Sequence, residues 1–522
     1  MSRAPTAFRS LLPIAVAFTL IARTGNAEPL VLEGEVPDDG AAFFSLPFEV
    51  PAGTKEIEVR HDDLSDQNIL DWGLEDPKRF RGWGGGNTEP AIVGEAAASR
   101  SYLPGPLPAG TWKVIVGKAK IVDPPARYHV EVELRGAPTL APQTERTPYV
   151  PSPPLKTGAR WYAGDFHVHS WQSGDAHPTL DEIAAFAKSR GLDFVAISDH
   201  NTVAQLDYLV DAQSRSPDVL LMPSVEFTTY AGHANGIGAT RFVDFRLAAQ
   251  DGGIDEAVRQ FHEMGALFSV NHPALDLGTL CIGCKWDQPL DPRQIDAVEI
   301  ETGGYEQAGV IFLIPAMQFW ESVLRVRPHT PAIGGSDDHL GGAGADPGDS
   351  PIGSPTTLVW ASELSAEAIL DGIRAGRTVV KTQGPDDPMV DLRAGDARVG
   401  DTVTGNAARG DQIKLTAVIT GAAGQQARLV RNGKAEAPFD VTSDPFTWEQ
   451  EVSPPDSGGQ EDRYRIEVLV DGKPRTITSH LYVAAAPPEP EPGSEGCGCG
   501  VAPGTAMGWA VVMMLMRRRR AS

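Results

Sequence analysis

The chain has 522 residues, a formal net charge of −24 and 41% hydrophobic side chains. That length exceeds one ordinary domain and predicts two to four, each with ample material for a buried core. The acidic balance excludes a protein that grips nucleic acid through its phosphates, so no nucleic-acid partner is expected. It leaves room for a small phosphorylated substrate, because bound metal ions reverse a local potential.

Taken in order, residues 1–27 read as a secretory signal peptide. Arg3 and Arg9 supply the positive start, Leu11 to Ala22 an apolar run too short to span a bilayer, and Gly25-Asn-Ala27 the small residues of a cleavage position. Residues 28–136 read as an N-terminal β-sandwich, since Phe43 to Val50, Glu56 to Arg60, Trp112 to Val116 and Tyr128 to Leu134 are short strands bounded by Pro and Gly. Residues 137–160 are rich in Pro and Thr without periodicity and read as a linker.

From 161 to 385 strands alternate with helices. Thr179 is placed to cap a helix beginning at Leu180, with Glu182 completing a capping box and Gly191 ending it. Phe194 to Ser198, Leu267 to Val270, Val298 to Ile300 and Pro331 to Ile333 read as buried strands, Ile254 to Met264 and Ala366 to Ala375 as helices. This repeat predicts a parallel sheet with helical crossovers, open or closed into a barrel. Residues 386–485 return to β structure, with Asn432-Gly433 and Asp471-Gly472 as hairpin turns of a second sandwich.

Chemistry-bearing residues cluster at the strand exits of the central region. In Asp165-Phe-His-Val-His-Ser170 the period of two puts His167 and His169 on one face. Further along stand Asp175 and His177, Asp199-His200, Glu226, His233, Asn271-His272, Glu299 within its own strand, and Asp337-Asp338-His339. The C-terminal ends of strands in α/β folds face one shared crevice, so ligands far apart in sequence converge there. No Ser-His-Asp or Cys-His arrangement is evident, which points to metal-activated water rather than a protein nucleophile. The chain has four cysteines. Cys281 and Cys284 are half of a zinc ribbon with no second half, and in an exported chain a loop-pinning disulfide is the expectation.

These motifs together (Asp-x-His-x-His-Ser, Ile-Ser-Asp-His-Asn-Thr, Gly-His-x-Asn, Asn-His-Pro, Gly-Ser-Asp-x-His) resemble those of the PHP (polymerase and histidinol phosphatase) superfamily. Gly232 to Gly238 is most similar to its CehA/McbA-type branch. The resemblance implies a distorted (β/α)7 barrel, flanked here by the two β modules, holding two or three divalent ions (Zn, Mn or Fe). Carried over by position, His167, His169, Glu226 and Asp337 surround one ion. Glu226 bridges to a second held with His233 and His272, and Asp175, His200 and His339 hold a third, with Asp175 where relatives often have histidine. Asp165, Asp199, Asn271, Glu299 and Asp338 are expected to orient ligands or meet substrate, and His177 to be an alternative ligand, a substrate contact or simply exposed; Lys285, Arg325 and Arg327 are candidates for selecting substrate, a role the sequence leaves unassigned. The implied activity is hydrolysis of a small-molecule ester: a phosphoester first, a carboxylic or carbamate ester second. A catalytically silent envelope scaffold is the reading from another class.

Residues 486–522 form a Pro/Glu/Gly/Ser linker, Cys497-Gly-Cys499-Gly, a short apolar run and Arg517 to Arg520. This resembles the MYXO-CTERM type of C-terminal sorting tail, which implies display at the cell envelope.

Overall fold

The computed structural model describes residues 28–247, 252–278, 281–303, 311–342, 350–456, 459 and 461–487. The segment expected to be a signal peptide (1–27) and all but the first two residues of the one expected to be a sorting tail (486–522) lie outside the described residues. No helix among the described residues is long and apolar enough to cross a membrane.

The N-terminal region forms two four-stranded antiparallel sheets. One runs in the order Leu30–Glu35, Arg127–Arg135, Glu56–Asp62, Ala91–Gly94, the other Phe43–Val50, Gly110–Lys120, Ile69–Glu75, Phe80–Gly85. Leu46, Phe48 and Val50 point inward while Ser45, Pro47 and Glu49 face out, the period-two pattern of a sheet with one wet face. Trp72, Trp112 and Ile57 fill the core between the sheets.

The segment expected to be a linker is packed down. The backbone N–H groups of Thr139 and Leu140 donate to the Glu56 carboxylate at 3.0 and 3.1 Å, and Arg146 reaches Asp207 at 3.0 Å. The strand Lys156–Val168 begins inside it. Its Pro and Thr content gave no periodicity to read, because these contacts are made residue by residue to distant partners.

The central region departs from the expected seven-fold β/α barrel. The described residues hold five α-helices, and the strands fall into two mixed sheets. One contains Leu220–Pro223, Phe194–Ile197, Lys156–Val168, Thr356–Leu364 and Thr378–Lys381 in that order; the other runs Glu226–Thr229, Gly232–Ile237, Leu267–Val270, Ala297–Thr302, Ala332–Gly335. Only two residues connect Glu226–Thr229 to Gly232–Ile237, a link that permits antiparallel pairing alone. Single bridges, Val168 with Asp338 and His200 with Glu226, join the two sheets at the ends where the predicted ligands emerge. The helices form where end signals demanded them. The Thr179 side chain accepts from Glu182 N–H, and the Glu182 carboxylate accepts from Thr179 N–H at 2.8 Å.

The C-terminal region is not a separate unit hung on a boundary at 385. Lys473–Thr478 pairs antiparallel with Thr378–Lys381, so the first central sheet continues into it as a 12-stranded sheet. Asn432-Gly433 and Asp471-Gly472 turn with positive φ at both residues (51° and 78°, 50° and 76°), the geometry two-residue hairpins need. A second sheet of Ala397–Arg398, Met389–Ala394, Ile413–Thr420 and Phe446–Val452 closes a core over Leu415, Ile419 and Ile466.

Glu321, on the helix Leu313–Leu324, locks the two regions together. It accepts from Arg463 at 2.5 Å and from Arg465, whose guanidinium stacks over Trp320. Burial pushes the Glu321 carboxyl up, but the paired arginines outweigh it and hold it below the usual range. Its stabilisation is therefore present above the ordinary carboxylate pKa and lost as pH falls through the depressed value. Glu321→Gln should lower stability by about 1.5–3 kcal/mol near neutral pH. The difference from wild type should vanish in acid; urea unfolding at both pH values reads both effects.

Candidate metal centre

The strand Lys156–Val168 buries Phe166 and Val168 in two different apolar cores, and His167 leaves its opposite face. His169 follows one residue beyond the strand, its ring centroid 5.1 Å from that of His167; both are fully buried. Gly335 runs alongside, where a Cβ would stand 2.3 Å from His167 Cβ and 2.9 Å from Glu299 Oε2, so glycine is required there. Asn201, His272 and Asp337 hold positive φ (50°, 26° and 58°), turning the chain sharply just past three strand ends. Strain of this kind persists only where the surroundings enforce it.

All nine expected ligands come together, and Glu226 lies at their centre. Its Oε1 is 3.2 Å from His167 Nε2 and 3.4 Å from both His233 Nδ1 and His272 Nε2. Its Oε2 is 2.7 Å from His200 Nδ1 and 3.7 Å from His169 Nε2. Asp337 Oδ1 sits between His167 Nε2 and His169 Nε2, at 3.1 and 3.0 Å. Towards the opening, Asp175 Oδ2 is 3.3 Å from His200 Nε2 and 3.5 Å from His339 Nε2, and the His169 and His339 rings stack at 4.0 Å. Ligands about 2.1 Å from a tetrahedral ion lie about 3.4 Å apart, so these spacings suit metal shells.

Four groups of donors result: His167, His169, Glu226 and Asp337; His169, His200 and His339; His233, His272 and Cys284; and His167, His272 and Glu299. The nitrogens support the fit. His167 Nε2 and His272 Nε2 are buried with no hydrogen-bond partner, although carboxylate oxygens stand close. A cation accepts such an approach, which lacks the directionality of a hydrogen bond. His233 and His272 are each fixed by a backbone carbonyl on the other nitrogen, Ile282 O at 3.3 Å from His233 Nε2 and Cys284 O at 2.9 Å from His272 Nδ1. That leaves His233 Nδ1 and His272 Nε2 turned to Glu226.

The electrostatics set the protonation. Burial pushes the Glu226 carboxyl up, yet the imidazoles of His167, His200 and His233 outweigh it and hold it well below its ordinary value. Burial, with His339 and His200 beside it, drives His169 down to about 3, which keeps it in the neutral form a metal takes. His339 moves the other way, up to about 9, because Asp175 more than offsets its burial.

The residues expected to orient the imidazoles divide. Glu299 does so, with Oε2 3.0 Å from His167 Nδ1, and Asn271 Nδ2 donates to Glu226 Oε1 at 2.9 Å. Asp165, Asp199 and Asp338 instead hold backbone. Asp165 accepts from the N–H groups of His167, Ser336 and Gly353, Asp199 from the N–H and hydroxyl of Ser170, and Asp338 from the N–H groups of Leu340 and Gly342. Burial raises the Asp165 carboxyl to about 6 and that of Asp199 to about 7, against these hydrogen bonds. The His177 side chain is exposed, and its backbone N–H holds His339 O at 3.0 Å. Arg327 pairs with Asp296, Arg325 closes a helix and Lys285 faces Asp276 and Asp287; none lines the cleft.

Sequence reading missed the partners of His169 and His200: Ser173 Oγ is 3.2 Å from His169 Nδ1, and Thr228 Oγ1 is 2.6 Å from His200 Nδ1. It also missed the outer wall. The centre opens into a cleft of about 660 Å³ whose far side is Asp71, Trp83 and the loop Gly84 to Thr88, all from the N-terminal region. Tyr230 donates to Asp71 at 2.7 Å and stacks on Phe43, pinning the two regions together. Gly174 has no room for a Cβ, which would meet Gly84 O at 2.2 Å. No local signal marks such residues, because only the long-range packing brings them here.

Glu226→Gln keeps the size of the side chain and removes the charge shared by five imidazoles. It should lose more than one metal equivalent per chain by mass spectrometry while a circular dichroism melt shows the fold intact. Retention of the full metal complement would show that Glu226 bridges nothing.

No family model and no curated protein matches the chain. Among solved structures it is similar to a two-domain protein from Bacteroides vulgatus containing a predicted PHP-like metal-dependent phosphoesterase, at 17% identity and a TM-score of 0.35, over 64% of this chain and 99% of that one. It is also similar to a protein from Bifidobacterium adolescentis described as a metal-dependent phosphoesterase (13%, 0.25, 40% and 95%) and to an amidohydrolase from Chromobacterium violaceum (15%, 0.24, 36% and 93%). Values this low say nothing of chemistry, which rests on the donor geometry.

Proposed function

We propose that the chain is an exported, metal-dependent hydrolase of the PHP type that cleaves phosphate esters. The observation that carries this reading is the convergence of nine donor side chains, five of whose imidazoles face one buried carboxylate, Glu226. His167, His169, Glu226 and Asp337 would hold one divalent ion, Glu226 with His233 and His272 a second, and Asp175 with His200 and His339 a third. Such ions supply a nucleophile by lowering the pKa of water towards about 7, and a Lewis acid for the ester.

The remaining work falls to the chain. Glu299 and the carbonyls of Ile282 and Cys284 aim the imidazoles, while Trp83 and the Gly84 to Thr88 loop narrow the space in which an ester sits. The hydroxyls beside the cluster are engaged: Thr228 Oγ1 lies 2.6 Å from His200 Nδ1, and Ser173, fully buried, donates to Asp175 at 2.9 Å. Export rests on the sequence of residues 1–27, and the Cys281–Cys284 disulfide accords with an oxidising compartment.

A panel of chromogenic phosphomonoesters, phosphodiesters and carboxylic esters, assayed with Mn²⁺ or Zn²⁺, tests the activity. Turnover of a phosphate ester that stops on chelation is expected. Cleavage of carboxylic esters alone would move the substrate class, and full metal loading with no turnover would make the chain a scaffold. The wall can be tested with the same panel. Burial pushes the Asp71 carboxyl up to about 6, so near neutral pH it is mainly charged and repels an anionic ester. Asp71→Asn should lower KM for a phosphodiester by about two- to fivefold, the size of a partly screened charge contact, and leave a neutral ester's KM and the metal content unchanged.

A further inference from the structure

The Cys281–Cys284 pair lies against the metal centre rather than on a remote loop. The two are disulfide-bonded with Cα atoms 5.6 Å apart. Cys284 is 1% exposed, and its Sγ lies within 4.8 Å of a nitrogen of His233 and of His272, which are themselves that close together. His272 Nε2 is buried and unpartnered beside them. Two imidazoles and a thiolate make a ligand set suited to zinc or iron.

The loop does not depend on the disulfide for its place. Gly283 is pressed against the chain so closely that a Cβ would meet Thr229 O at 2.2 Å. Asp287 N–H donates to Ala231 O at 2.8 Å and Trp286 N–H to Pro273 O at 3.2 Å. Breaking the S–S bond therefore leaves Cys284 where it stands. The bond is also within reach, since Cys281, Ile282 and Cys284 line the cleft.

We propose, resting on the metal-centre reading above, that Cys284 is a redox-gated ligand: on reduction of the disulfide it joins His233 and His272 in holding the second ion. The step balances with a dithiol as reductant. The dithiol gives two electrons and becomes a cyclic disulfide, the Cys281–Cys284 bond breaks to two thiols, and Cys284 releases its proton to solvent as its sulfur–metal bond forms. Oxidation reverses this and removes one donor, so occupancy of the second site follows the redox state of the surroundings while the His167, His169 and Asp337 site does not.

Cobalt(II) loading of the full chain tests this, because a thiolate on cobalt gives a near-ultraviolet charge-transfer band that nitrogen and oxygen donors do not. The band should be absent from the oxidised wild type, appear on adding a dithiol, and be present without reductant in Cys281→Ser. It should be missing in Cys284→Ser under both conditions, a control that also covers Cys497 and Cys499. Cobalt held with no sulfur band in reduced wild type and in Cys281→Ser, loss of cobalt on reduction, or a band persisting in Cys284→Ser would each overturn the proposal. Failure of any form to hold cobalt would overturn the metal centre as well, which separates the two.

Discussion

A carboxylate with no exposure, Glu226, faces five imidazoles, and the central region is arranged to keep that possible. An isolated buried charge costs several kcal/mol, and only close partners offset it. Glu226 has them because its backbone is tied at the same spot. Its N–H donates to Ser198 O and Asp199 O, its carbonyl accepts from Asn201 N–H, and its neighbours Val225 and Phe227 are sunk in the apolar core. The bridge from His200 to Glu226 is also one of the two single bridges that join the sheets. The seam of the fold and the heart of the site are thus one place, so the donors are positioned by the framework and not by mobile loops.

What the sequence made legible was whatever is local. The period of two in Asp165 to Ser170, the Thr179–Glu182 cap and the polar residues at strand exits all state their geometry within a few residues, and the structure brings the nine donors together. The expected (β/α)7 barrel is replaced by two mixed sheets, because pairing between distant strands is not written in local patterns. The antiparallel turn of Glu226–Thr229 onto Gly232–Ile237 looks, in sequence, like one more buried run. Asp165, Asp199 and Asp338 carried the right chemistry for orienting imidazoles but spend their oxygens on backbone N–H groups at the exits. Residue type alone does not distinguish holding a ligand from holding the loop that bears it.

The same distinction separates metal binding from substrate choice. Of the donor side chains, His167, Glu226 and His233 sit on strands and the others follow strand ends, so strand register sets where they start, and register is written in short patterns. The cleft's far wall is Asp71, Trp83 and a glycine-rich loop from a region more than seventy residues upstream of the first donor, joined by aromatic stacking and the Tyr230–Asp71 hydrogen bond. Gly174 lies so close to the Gly84 carbonyl that a larger residue at 174 would have to move the N-terminal region. Such an interface fixes the width of the opening with backbone instead of with side chains. Substitutions in the N-terminal region can therefore reshape what enters the cleft while the Glu226 cluster, anchored in the other sheets, keeps its donors, and the two properties can change independently.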